Sequence, residues 1–509
     1  MLFNSYTFIF LFLPATLIGF FVLAHQGYRS TALAWLVIAS LVFYGWWTPA
    51  YIVLLAGSIF FNYGLGLVLG RGPNKPLLGL GIAANLVCLG YYKYASFVVG
   101  NVSDLVGANF VFEAVILPLA ISFFTFQQVA YLVDAHRGLT REYSFLRYAL
   151  FVTFFPQLII GPIVHHSETI PQFQKDSTFR FRKENIEVGL PIFVIGLFKK
   201  VIFADTIARY IDPSFALAAN GGSIGFVDAW VATIGFCFQL YFDFSSYSDM
   251  AIGLGRMFGI RLPLNFDSPL RQSSIIRVWR QWHITLYRFF RDYVFIPLGG
   301  RERGPSRLAI NVMIVMVLSG IWHGSGWKFV CLGLMNGFWL LVELEWRRHI
   351  GPRLTRLRQN VAWIELSRIL AFLAFASSLP FFRAADFPSS IRIFEGMLGL
   401  NGLFAGRVRY VDLIEPQLRQ FIGLPVTTGL EIALIFGLVF AMLRFAPSTQ
   451  QFMRNHEPAL DFDATAAGVS AAGRLTWRPS RTWGILFGIL AGALLLALGN
   501  GQEFIYFQF

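Results

Sequence analysis

Runs of about twenty mostly apolar residues, the length a helix needs to cross a bilayer, recur from one end of this chain to the other. Of its 509 residues, 56% are hydrophobic and only 14% charged. A soluble domain carries about a quarter charged residues, so a water-facing surface cannot be covered here. The chain is predicted to be an all-α, multi-pass membrane protein, one domain over residues 1–509. The first run, Met1–Ala24, lacks a basic leading region and a small-residue cleavage site, and is read as a first membrane helix.

The formal net charge is +13, but the basic residues lie in short linkers between apolar runs, the pattern of cytoplasmic loops. No basic domain stands apart, which argues against nucleic acid as a partner. Cys88, Cys237 and Cys331 are far apart in apolar stretches, which suits buried small hydrophobes better than a disulfide framework or a zinc site. Helices are expected over residues 5–24, 31–47, 50–69, 76–99 and 113–134. Arg29, Arg71, Lys75, Arg137 and Arg141 fall in alternate linkers, which puts the N-terminus outside and these residues in the cytoplasm. From about 145 to 300 the rhythm fails. Pieces such as Phe151–Ile163, broken by Pro156 and Pro162, read either as re-entrant segments lining a cavity or as kinked helices. Long helices are expected again at 187–210, 224–242, 307–322, 329–345, 364–382, 428–444 and 482–499. Residues 383–427 read as a solvent-side excursion and 447–482 as a cytoplasmic loop. No internal repeat is visible.

Two histidines stand out. Along Ser274–Asp292, read as one helix, Arg277, Arg280, Arg288 and Arg291 share an arc of roughly 80° while Ile276, Trp279, Leu286 and Phe290 lie opposite. Such a helix lies at a membrane interface and turns His283 into the protein. Its arginines suit either lipid headgroups or an anionic substrate. The second is His323, within Ser319-Gly320-Ile321-Trp322-His323-Gly324-Ser325-Gly326-Trp327, where the glycines admit a close neighbour. An ionisable side chain inside a membrane segment is a functional candidate by default. A neutral imidazole can take a proton from a hydroxyl attacking an ester or thioester carbonyl. A second histidine can orient the acceptor or stabilise the developing oxyanion. Metal binding by this pair lacks a nearby carboxylate.

Other candidates are less sharply defined. His165-His166 beside Gly161-Pro162 read as lining a loop, and His25, His136, His349 and His456 lie in linkers or at helix ends. The Tyr241–Asp249 cluster offers Asp243, Ser245 and Asp249. Its carboxylates can orient a histidine or pair with a cation such as Arg256, and a purely structural ion pair fits equally well. Lys199, Lys200 and Asp205 read the same way. The end of the chain, Phe504-Ile505-Tyr506-Phe507-Gln508-Phe509, resembles an interfacial anchor, but Tyr506 is a hydroxyl nucleophile on a short tether. It is a candidate to receive an acyl group and pass it outward.

The motifs together resemble the membrane-bound O-acyltransferase family, in its bacterial alginate O-acetyltransferase-like branch. The matching stretches are Leu117–Gln127, Phe154–Pro162, Tyr241–Asp249, Arg280–Leu286 with Arg291-Asp292-Tyr293, Ile296–Gly300, Gly320–Gly324 and the aromatic tail. One departure is Ser246, where relatives more usually carry Gly. The resemblance implies a ring of transmembrane helices with re-entrant segments around a central tunnel. It implies His323 as the catalytic residue and His283 as its partner; Trp322, Gly324, Asp243, Ser245, Arg277 and Arg280 stand beside them as substrate or tunnel candidates. It further implies a location in the bacterial inner membrane and a cytoplasmic donor, acetyl-CoA, with no bound cofactor. A periplasmic hydrolase-like partner and a polysaccharide acceptor such as alginate or cellulose follow in the same way. Peptidoglycan, teichoic acid or a lipid are alternative acceptors, and a transporter without covalent chemistry is the rival from another class.

Overall fold

The computed structural model describes residues 1–107, 110, 116–354, 359–403, 428–460, 475–498 and 503–508. Among these there is no strand, and six helices are long and apolar enough to cross a membrane: Thr7–His25, Ala50–Leu69, Lys75–Val106, Pro305–His323, Trp327–Leu354 and Val361–Arg383. Arg29–Tyr44 and Arg481–Ala497 are shorter apolar helices beside them. Large apolar side chains on these helices are exposed, among them Phe60, Leu105 and Leu496. In a polytopic membrane protein such faces are solvated by lipid tails.

The helix Phe226–Met257 lies inside this shell. Every residue from Gly235 to Gly255 is buried, so this stretch has no lipid or solvent face, which is the signature of a core helix. From the sequence a helix ending near 242 is expected, where the polar Asp243, Ser245, Ser246, Ser248 and Asp249 interrupt the apolar run. Those side chains face protein partners, and the helix continues. Ser246 donates to the Asp243 carbonyl (2.6 Å) and is accommodated. The helix Lys183–Phe198 crosses it at backbone contact: a Cβ on Gly189 would lie 2.5 Å from the Gly253 carbonyl oxygen, and one on Gly253 2.6 Å from that of Gly189. Small residues permit such approach in lipid, where packing has to drive association.

Lys183–Phe198 then passes through one π-turn, Lys199–Ala204, into Asp205–Ala219. The wider turn places two consecutive lysines against the core helix. Lys199 pairs with Asp249 (2.6 Å) and Lys200 with Asp243 (2.8 Å). Such bulges are typical of functional or strained places in a helix.

Other boundaries also differ from the sequence reading. The helix expected over 113–134 begins at Ile121, behind a non-helical approach containing Pro118 and Ala120, the latter at φ 62°. Residues 383–403 are not a solvent-side excursion: the helix Phe387–Met397 buries Ile393, Gly396 and Met397, and a Cβ on Gly396 would touch the Ile224 carbonyl at 2.7 Å. Residues 404–427 lie outside the described ones. Of the stretch 447–482, residues 461–474 are likewise outside. Its first turn, Thr449–Phe452, reaches the core, where Thr449 and Gln450 donate to Asp249 (2.6 and 3.0 Å).

Candidate active site

The segment that delivers His323 is a tight helical hairpin. Pro305–His323 and Trp327–Glu345 run back to back because a Cβ on Gly320 would lie 2.2 Å from the Phe329 carbonyl oxygen, and one on Gly333 2.5 Å from that of Met316. The first helix stops at His323, and a Cβ on Gly324 would sit 2.1 Å from the Phe329 ring. Trp322-His323-Gly324 is thus the last turn of a helix whose end is buried in protein. Two side chains of the Lys75–Val106 helix donate to carbonyls at this end: Lys93 Nζ to Trp322 (2.5 Å) and Tyr94 Oη to Ile321 (2.9 Å), which also accepts the Gly324 N–H (3.1 Å). A cation at a helix C-terminus is favourably placed.

His283 arrives differently. The amphipathic helix expected over Ser274–Asp292 is broken into Ile275–Gln281 and Ile284–Phe290, with His283 between them at φ 48°. A non-glycine residue in this region costs about 1 kcal/mol or more and persists only where its surroundings hold it. They do so here. Phe266 and Trp282 form a β-bridge, and Ile284 N–H donates to the Asn265 carbonyl at 2.9 Å. The Asn265 side-chain oxygen accepts from Thr285 Oγ1 (2.7 Å) and Thr285 N–H (3.3 Å) and lies 3.2 Å from His283 Nδ1. With both Thr285 donors on that oxygen, His283 Nδ1–H is a third donor to it. Nε2 is left as the basic nitrogen; it is buried without a hydrogen-bond partner among the described residues.

The third component is the tail. Tyr506 Oη lies 3.3 Å from His323 Nδ1, and the residue is buried. Rings tie the three together. Phe244, on the core helix, packs at 4.6 Å against both His283 and Tyr506. Trp322 contacts His323 (4.9 Å), His283 (5.8 Å) and Tyr506 (6.3 Å). His323 and Tyr506 also line two cavities. One, of about 250 Å³, is walled by Lys93, Ile116–Phe123, Ile159, Ile160 and Trp322. The other, about 20 Å³, lies toward Trp282, Ser319, Asn336, Ser378 and Phe382. A phenol, an imidazole that can take its proton and a second imidazole with an open nitrogen sit within one aromatic box, an arrangement suited to acyl transfer to oxygen.

His323, His283, Trp322, Gly324 and Tyr506 are therefore gathered in one place. Asp243 is adjacent through the tail, since its carboxylate accepts the Ile505 N–H (2.9 Å). Ser245 is buried, and its hydroxyl has no partner among the described residues. Arg277 and Arg280 are exposed and line neither cavity at His323. The basic arc is not continuous either, because the break at His283 separates the arginines: Arg288 pairs with Glu168 and Arg291 with Asp292. His165 and His166 open a short helix, His166–Phe173, and face Asp134 and Glu142.

Lys93 and Asn265 belong to the site and escaped the sequence reading. Lys93 carried a readable signal, a lone cation in the middle of an apolar helix. Asn265 carried none, since its role depends on the fold bringing it to His283.

Fold and site together define a membrane enzyme built for acyl transfer. The model of the MBOAT, membrane-bound O-acyltransferase, family matches residues 108–382, more than half of the chain, and the protein belongs to that family. It is an O-acyltransferase, a multi-pass protein of the bacterial inner membrane. The chain is 41% identical over 435 residues to the peptidoglycan O-acetyltransferase of Helicobacter pylori, covering 79% of this chain and 81% of that one. It is 34% identical to the probable alginate O-acetylase AlgI of Pseudomonas aeruginosa over the full length of both. The teichoic acid D-alanyltransferase of Bacillus subtilis is 29% identical over 226 residues, 43% of this chain and 56% of that one. Membership sets aside the transporter alternative.

Proposed function

We propose that the protein takes acetyl from a cytoplasmic thioester, acetyl-CoA, and passes it through a central tunnel to a polysaccharide outside the inner membrane. The observation that carries this reading is the contact of Tyr506 with His323 where two cavities adjoin. His323 takes the phenolic proton as Tyr506 Oη attacks the thioester carbonyl. The C–S bond breaks, the thiolate leaves and recovers the proton from the imidazolium, and an aryl acetate remains on Tyr506. An acceptor hydroxyl then attacks that ester, His323 again moving the proton, and the phenol is restored. Lys93, as a fixed cation beside the site, stabilises negative charge developing on the carbonyl oxygen. His283 Nε2 holds the second position for a proton or an acceptor hydroxyl. A periplasmic hydrolase-like partner completes transfer to the polymer.

The acceptor is a polysaccharide such as alginate or cellulose. Peptidoglycan is the second reading, favoured by the 41% identity to a relative named for that polymer. The chemistry at this chain is the same for either. Arg277 and Arg280, exposed on the helix Ile275–Gln281 that precedes His283, meet donor phosphates or lipid headgroups.

The test uses protein purified in nanodiscs with acetyl-labelled acetyl-CoA. Wild type is expected to carry label on Tyr506, seen by peptide mass spectrometry, and His323→Ala and Tyr506→Phe are expected to carry none. Full transfer to the acceptor by a folded Tyr506→Phe variant would remove the relay. Intact acetyl-CoA after incubation of wild type with acceptor and partner would remove the donor.

A further inference from the structure

Phe504, Ile505 and Tyr506 are buried and held in place. What ties them is a charged site on the core. Lys200, itself buried, has three N–H donors, and three acceptors surround it: Asp243 Oδ1 at 2.8 Å, Asp205 Oδ1 at 2.8 Å and the Glu503 carbonyl at 3.1 Å. Its ammonium also stands 4.6 Å from the centre of the Phe504 ring. The other oxygen of Asp243 accepts the backbone N–H of Ile505 at 2.9 Å. One ammonium thus faces two carboxylates, and the tail supplies the further donor. On its far side Phe504 packs edge-on against Tyr247 at 5.1 Å. The three residues before Tyr506 are each held, two through backbone atoms and one through its ring.

We infer that Lys200 and Asp243 are positioning residues: they form a clamp on the backbone of the C-terminal tail and thereby set the contact between Tyr506 and His323. The clamp grips the main chain, so it fixes where the phenol stands whatever side chain occupies 505. It also explains the paired lysines at the π-turn. Lys199 holds Asp249 and the turn at Thr449, while Lys200, one residue on, holds Asp243 and the tail. The consequence for turnover rests on the relay role of Tyr506; the clamp itself does not.

The experiment places a cysteine at the tail, Tyr506→Cys, in a background with Cys88, Cys237 and Cys331 replaced by alanine, and measures its rate of alkylation by N-ethylmaleimide. Ile505→Pro removes the N–H given to Asp243 and leaves the side chains of the Lys200, Asp205 and Asp243 ion pairs in place. Loss of one hydrogen bond to a charged group corresponds to about tenfold or more in exposure of the tail, and alkylation is expected to quicken by that factor. Asp243→Ala is expected to do the same and Asp249→Asn is not, while Ile505→Val keeps the wild-type rate. With Tyr506 restored, Ile505→Pro is expected to lower kcat for acyl transfer with KM for the donor unchanged. Alkylation within twofold of the parent in both Ile505→Pro and a folded Asp243→Ala would overturn the clamp. A fully active Tyr506→Phe with quickened alkylation in Ile505→Pro would leave the clamp standing and remove only the relay.

Discussion

Tyr506 and His323 are 183 positions apart in the chain and share a hydrogen-bond contact of 3.3 Å in a buried site. The segment carrying Tyr506 meets the last turn of the helix Pro305–His323. Which chemical events depend on each partner is open to direct measurement.

Replacing His323 with alanine should abolish the proton transfer and leave the hairpin intact, because the close packing of that hairpin comes from Gly320 and Gly333. Acyl transfer is expected to fall by about 10²–10⁴-fold, with a melting temperature close to wild type by scanning fluorimetry. A variant that lost both together would withdraw the catalytic assignment.

Asn265→Ala removes one acceptor serving Thr285 Oγ1, Thr285 N–H and His283 Nδ1. Buried donors left unpaired cost about 1–3 kcal/mol, so the melting temperature should drop. The His283 tautomer is also released, and kcat is expected to fall more than stability alone explains. Unchanged turnover in the folded fraction would show that the orientation of His283 is of no consequence.

Lys93→Met keeps most of the side-chain volume and removes the charge near Trp322 and Ser122. If this cation acts on developing charge, kcat drops with KM little altered. Lys93→Arg should recover part of the activity. A rise in KM alone would instead place Lys93 in ground-state binding.

Gly333→Ala would put a methyl carbon 2.5 Å from the Met316 carbonyl oxygen and 2.6 Å from Val317 Cα. Backbone cannot yield as a flexible side chain can, so the hairpin must open and thermal stability should fall clearly. Gly90→Ala, on the Lys75–Val106 helix with nothing within 4 Å of the new carbon, is expected to be neutral or slightly stabilising.

Arg277→Gln and Arg280→Gln separate the two uses of exposed arginine. Contact with donor phosphates predicts a higher KM for the thioester with kcat retained. Headgroup anchoring predicts unchanged kinetics and weaker dependence on anionic lipid in the nanodisc.

Residue chemistry alone, read along the chain, determined that this is an all-α membrane protein, and it marked His323, His283 and Tyr506, because each signal is local. An apolar run of about twenty residues needs no partner to be recognised, and an imidazole flanked by glycines inside such a run is conspicuous by itself. Tertiary structure decided the rest. The helix Phe226–Met257 runs through Asp243 and Asp249 because lysines more than 40 positions away meet their charges. Ser274–Asp292 breaks at His283 because Asn265 and Phe266 pair with the break, which helical periodicity cannot register. Lys93 joins the site because a carbonyl 229 positions away needs its donor. The physical reason is common to these cases. A polar group buried in a membrane protein is costly without a partner, and which partner it finds depends on how distant segments are brought together.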